Sequence, residues 1–144
     1  MSRLRVSTTV DAPPDVVWND LADISSHVEW MRDAVRIDFV GDQRDGVGTA
    51  FDCATKVGPF GLTDRMEITA WEPARTMGVR HVGLVTGDGT ITLRARRRSH
   101  TKVTWNEQLM FPWWMGGVVG SWIATPVLWL VWRGSMRNLR ARFK

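Results

Sequence analysis

Apolar and polar residues alternate from the start of the chain. Leu4, Val6, Thr8 and Val10 share one side of residues 3–10, which is a strand pattern. "DAPPD" interrupts it, and proline suits the first turn of a helix. Val17, Trp18 and Leu21 follow at helical spacing. Ser26 and Glu29 stand at the spacing of a capping box and predict a second short helix, which carries Trp30. Strand signals then cover 35–40, 49–57 and 62–71, and continue in "TMGVRHV". "GDGTITLRARRR" and "TKVTWNEQLMF" complete them as a last hairpin. The expected order is one strand, two short helices, about six further antiparallel strands and one long C-terminal helix. That is an α+β domain with a six- to seven-stranded sheet.

The last segment is ambiguous between environments. Trp113 to Trp132 contains no charge, and Arg133 to Lys144 carries five positive residues and no acid. Such a run meets the crude criteria for a membrane span. Gly116, Gly117, Gly120, Ser121, Thr125 and Pro126 dilute it, however. The stripe Leu128, Trp132, Met136, Leu139 and Phe143 also continues through the basic part. A helix packed on a sheet keeps such a stripe, whereas a spanning helix has no reason to. A buried helix over 127–143 is therefore expected, with Pro126 at its start or at a kink. The alternative is peripheral membrane contact through 113–144. In that case tryptophans enter the interface, and Arg133, Arg137, Arg140, Arg142 and Lys144 meet anionic lipid.

Composition narrows the picture. A length of 144 residues fits one domain over 1–144. The single cysteine, Cys53, excludes an internal disulfide and fits a reducing, cytoplasmic setting. "MSRLRVSTTV" has no apolar run of the secretory kind. The net charge of +4 sits in the tail and in "RARRR". A helix end and a hairpin tip form no basic stripe with stacking aromatics, so no nucleic-acid partner is expected. Nine tryptophans and no tyrosine leave no phenol for proton transfer. His27, His81 and His100 are scattered and Cys53 is alone, so no metal is expected. "GDGT" is a turn signal without the strand–loop–helix context of nucleotide binding, and no cofactor is expected. The oligomeric state is left open.

"VDAPPDVVWNDLADISSHVEWM" resembles the opening of the START-like SRPBCC superfamily, in its polyketide cyclase/dehydrase and lipid-transport branch. The resemblance rests on Ala12, Pro13, Val17, Trp18, Leu21, Asp23 and Trp30, and on "GVGTAF", "WEPARTM", "TKVTWNEQL" and "SMRNLR" in the expected order. His100 stands where the family commonly has glycine before "T-x-V-T-W". The resemblance implies a helix-grip fold, in which a curved antiparallel sheet holds the C-terminal helix over a deep apolar cavity. It also implies a hydrophobic small-molecule ligand, such as a lipid, polyketide or sterol, with cyclisation or dehydration in some members. Fold does not choose among these.

Three ionisable residues share parity with apolar neighbours. Glu107 lies with Val103, Trp105, Leu109 and Phe111; Asp64 with Leu62, Met66, Ile68 and Ala70; His81 with Met77 and Val79. Facing a cavity, they are candidates for acid/base catalysis: burial raises a carboxyl pKa and lowers that of histidine. Competing structural roles are an exposed hairpin end for Asp64, an ion pair with Arg94 for Glu107 and a strand rim for His81. Arg65 has the opposite parity and is expected to point outward. The strands are expected to line the pocket with Phe51, Cys53, Met66, Ile68, Val79, Trp105 and Leu109. The C-terminal segment is expected to add Trp122, Ile123 and Trp129.

Overall fold

The computed structural model describes residues 2–111 and 117–143. Strand β1 (Ser2–Val10) leads into helix α1 (Pro14–Leu21) and a 3-10 turn (Ile24–Glu29). Six strands follow: β2 (Ala34–Val40), β3 (Ala50–Val57), β4 (Phe60–Glu72), β5 (Thr76–Val82), β6 (Thr86–Arg96) and β7 (His100–Met110). Helix α2 (Gly117–Ala141) comes last. The fold is α+β, with one curved, wholly antiparallel sheet in the order β1-β7-β6-β5-β4-β3-β2. Neighbours in sequence are neighbours in the sheet, with one exception. The α1 segment carries the chain from the β1 edge to the β2 edge, and β7 returns to pair with β1, Val6 opposite Trp105.

The predicted strands lie within two residues of those observed, and three local details differ. Ser26 does not cap the second helix; it lies inside the 3-10 turn and its hydroxyl donates to Asp23 O at 2.7 Å. Ala70 does not continue the Asp64 face. The register slips between Ile68 and Ala70, and this bulge turns Trp71 inward, where it packs edge-on against Trp18 at 5.1 Å. Gly78 makes room for the bulge, since a Cβ there would lie 2.9 Å from Thr69 Oγ1. Helix α2 begins ten residues before Val127, so Pro126 lies within it rather than at its start.

His100 needs no glycine conformation. Its φ of −98° is ordinary extended backbone, and the positive φ values fall on Arg98 and Ser99 in the turn before it.

The stripe of α2 faces the sheet: Trp132, Met136 and Leu139 are buried, and Leu128 and Phe143 pack against the core. Polar bonds fasten the same half of the helix. Ser135 Oγ accepts from Arg32 N at 2.9 Å, and Asn138 donates to Trp30 O at 3.3 Å. Arg142 grips both oxygens of Asp20, at 2.8 and 2.6 Å. Among the described residues, no helix is long and apolar enough to cross a membrane.

Candidate functional site

The concave face of the sheet and α2 enclose a cavity of about 670 Å³. Its walls are mainly aliphatic and aromatic. Phe51 and Cys53 come from β3, Met66 and Ile68 from β4, Val79 from β5, and Trp105 and Leu109 from β7. Trp105 stacks on Trp132 of α2 with ring centroids 4.6 Å apart, and Trp30 meets its edge at 6.2 Å. Leu84, Ile123 and Val127 line the cavity yet stay largely exposed, so they mark its mouth. Trp129 does not reach the cavity. It lies 38% exposed on the outer face of α2, with the Arg133 guanidinium 5.1 Å from its ring centroid. The side chain of Trp122 lies outside the described residues.

In this apolar setting stands an ionic cluster. His81 of β5 bonds to Asp64 of β4 through Nδ1 and to Glu107 of β7 through Nε2, and all three are buried. Asp64 and His81 sit on adjacent strands, one diagonal step apart. Glu107 and His81 are separated by β6, and two glycines let them meet. Gly87 pairs with His81, and Gly89 pairs with Glu107. A side chain on Gly89 would stand where the bond runs: a Cβ would lie 3.0 Å from Glu107 Oε1. A Cβ on Gly87 would lie 1.8 Å from Gln108 O, and its φ of +142° favours glycine as well. "GDGT" is therefore part of a strand, not a turn.

Electrostatics follows from the contacts. Burial is the largest influence on His81 and works against its charge. The hydrogen bonds and charges of Asp64 and Glu107 together outweigh it and push the imidazole pKa up to about 10. This corrects the expectation that burial lowers it. Burial raises Glu107 despite its bond to His81. Burial also pushes the Cys53 thiol up to about 11, so the thiol stays protonated and unreactive at neutral pH. The competing structural roles find no support in this geometry. Asp64 is 5% exposed although it follows a hairpin, because β4 already begins at Phe60. Arg94 is exposed and sits opposite Lys102 rather than near Glu107. Arg65 points outward to Asp52, as its parity predicts.

Sequence reasoning missed several polar and aromatic members of the wall, among them Asp33, His27 and Trp132 in its lining role. Trp132 Nε1 donates to buried Asp33 Oδ2 at 3.0 Å. Burial raises the Asp33 carboxyl, with the Trp132 bond acting against it. Asp33 precedes β2 in a short connection, where no periodicity marks it. Burial lowers the pKa of His27, whose Nε2–H donates to Leu21 O at 2.8 Å. Among the described residues, no group of histidine, cysteine and carboxylates is arranged to hold a metal.

No curated protein matches the chain by sequence. Solved structures share the fold at low identity. The protein TTHA0849 from Thermus thermophilus aligns with a TM-score of 0.81 at 14% identity, covering 98% of this chain and 96% of that one. The Zhui aromatase/cyclase from a Streptomyces species aligns at 0.74 and 17% identity, covering 97% and 92%. The di-domain aromatase/cyclase BexL of the BE-7585A biosynthetic pathway aligns at 0.70 and 16% identity; the alignment covers 98% of this chain and 46% of that one. The family model described as "Polyketide cyclase / dehydrase and lipid transport" matches residues 1–144. With the helix gripped by its sheet and the match running over the whole length, the chain belongs to the polyketide cyclase/dehydrase and lipid transport family.

Proposed function

We propose that residues 1–144 act as one domain that binds a hydrophobic small molecule, of polyketide, lipid or sterol type, and moves protons on it. The observation that carries this reading is the buried Asp64–His81–Glu107 cluster in the wall of an apolar cavity. The relatives named aromatase/cyclase point to the same chemistry. The single buried cysteine fits a cytoplasmic setting.

An aldol closure needs a base that takes the proton alpha to one carbonyl. The carbanion then bonds to a second carbonyl carbon, whose oxygen takes up a proton. Dehydration later expels that oxygen as water. Both ring nitrogens of His81 are already bonded to carboxylates, so its role is to hold charge and orient them. Glu107 is the group that exchanges the proton. Burial brings its pKa towards the working pH, and His81 steadies its ionised form.

The test is a screen of sterols, aliphatic alcohols and aromatic polyketides, following tryptophan emission and melting temperature. A ligand at about 100 times its dissociation constant adds ~2.7 kcal/mol, a rise of roughly 5–10 °C for a domain of this size. Glu107→Gln should bind the same compounds yet lose turnover of a cyclisable poly-β-ketone. If no compound moves either signal and nothing co-purifies in native mass spectrometry, ligand binding must be given up.

A second reading is favoured by one observation. The outward positions of α2 are apolar at Trp129 and Leu130, continued by exposed Ile123 and Val127 at the cavity mouth, and basic at Arg133, Arg137 and Arg140. That pattern suits an anionic bilayer surface. Sedimentation with phosphatidylserine vesicles, weakened by Trp129→Ala, would support it; indifference to the vesicles would remove it.

A further inference from the structure

The charge of the cavity wall is lopsided. Three carboxyl groups, Asp33, Asp64 and Glu107, line it against one imidazolium, His81. Among the described residues no lysine or arginine lines it. The stretch from Phe111 to Trp122 contains no charged residue in the sequence either. His27 also lines the cavity, but burial keeps its ring neutral. Asp64 meets His81 through Oδ2 alone; its other oxygen, Oδ1, is buried with no hydrogen-bond partner and is left as an unsatisfied acceptor. Uptake of protons by Glu107 and Asp33 brings the wall towards neutrality and never makes it positive.

We propose that the cavity selects hydrophobic ligands that are neutral or cationic, such as ketones, alcohols and amines, and rejects carboxylates. This rests on the binding function proposed above and names the class of ligand. In a low-dielectric interior, like charges repel far more strongly than in water. A ligand carboxylate would face carboxylates with no free cation to receive it. An ammonium or hydroxyl would supply the donor that Asp64 Oδ1 lacks. The exterior argues the other way. A formal net charge of +4 favours anions on the outer surface, so discrimination against a carboxylate can arise only inside.

The experiment uses three probes of one chain length, dodecylamine, 1-dodecanol and dodecanoate, at neutral pH and below micelle formation. Binding to the full chain is followed by emission of Trp105 and Trp132 and by native mass spectrometry. The expected result is that dodecanoate binds at least tenfold more weakly than 1-dodecanol, with the amine equal to the alcohol or tighter. Asp33→Asn should narrow the gap, and Asp52→Asn, on the outer face, should leave it unchanged. Equal or tighter binding of dodecanoate would overturn the selectivity while leaving ligand binding intact. If none of the three binds, the binding function itself falls, and the selectivity with it.

Discussion

At the scale of single residues, His81 is a group whose protonation the fold controls strongly. Its folded pKa of about 10 lies above the ordinary histidine value of about 6.5, so the folded state holds the proton more tightly than the unfolded chain. Its stabilising contribution is therefore complete below about pH 6.5 and is lost as pH rises through about 10. The melting temperature should fall over that window, and the fall should flatten in His81→Leu. That variant leaves Asp64 and Glu107 unpaired in the interior and should cost about 3–5 kcal/mol at neutral pH in urea unfolding. Part of the loss should return in acid, as the carboxyls take up protons. Glu107→Gln removes one flanking charge but keeps an oxygen acceptor. The His81 ring, followed by NMR, should then titrate well below 10; an unchanged midpoint would mean that Glu107 does not stabilise its charge.

Among elements, β6 matters for what it lacks. Strands β5 and β7 flank it, and their side chains touch only because Gly87 and Gly89 leave that face bare. Gly89→Ala should cost about 1 kcal/mol or a little more and shift the His81 ring resonances as Glu107 is pushed aside. Gly87→Ala should be far more damaging, since its Cβ would meet backbone that cannot give way. In α2, Trp132→Phe should cost about 1–3 kcal/mol, because buried Asp33 would lose its donor. Elements of this kind were unequally legible in the sequence. Period-two alternation placed Asp64, His81 and Glu107 on inward faces, since parity is local information. Their meeting was not legible, because it depends on register across three strands. The glycines that permit it look like turn residues when read along the chain. Asp33 gave no periodic signal in its short connection, and Trp129 shares the apolar character of its helix while pointing the other way. Pro126 was readable either as the start of the helix or as a kink within it, and of the two placements it is the one inside α2 that the structure has.

For the whole molecule, an open cavity is packing forgone. Well-packed interiors leave few voids larger than a water molecule, so a space of about 670 Å³ beside the core is a cost kept for use. Filling it should separate stability from function. Cys53→Phe adds apolar volume at the wall, where the thiol is buried. Its melting temperature should equal or exceed that of the parent, while the ligand-induced rise should vanish. Retention of the full ligand response would place the binding site elsewhere.

The pairing of β1 with β7 also sets a timetable. The partners Ser2–Leu109 and Val10–Thr101 lie roughly a hundred residues apart in the chain. At ordinary ribosomal speeds of ~5–20 residues per second, β1 waits roughly 5–20 s after it is made before its neighbour exists. During that interval its alternating apolar residues, Leu4, Val6 and Val10, have no sheet to join and no α2 to cover them. Closure of such distant contacts is also intrinsically slow. The nascent chain thus spends its riskiest moments with its first strand ready to pair with a stranger, and a chaperone that shields residues 2–10 should raise the yield of folded protein more than one acting on the hairpins that follow.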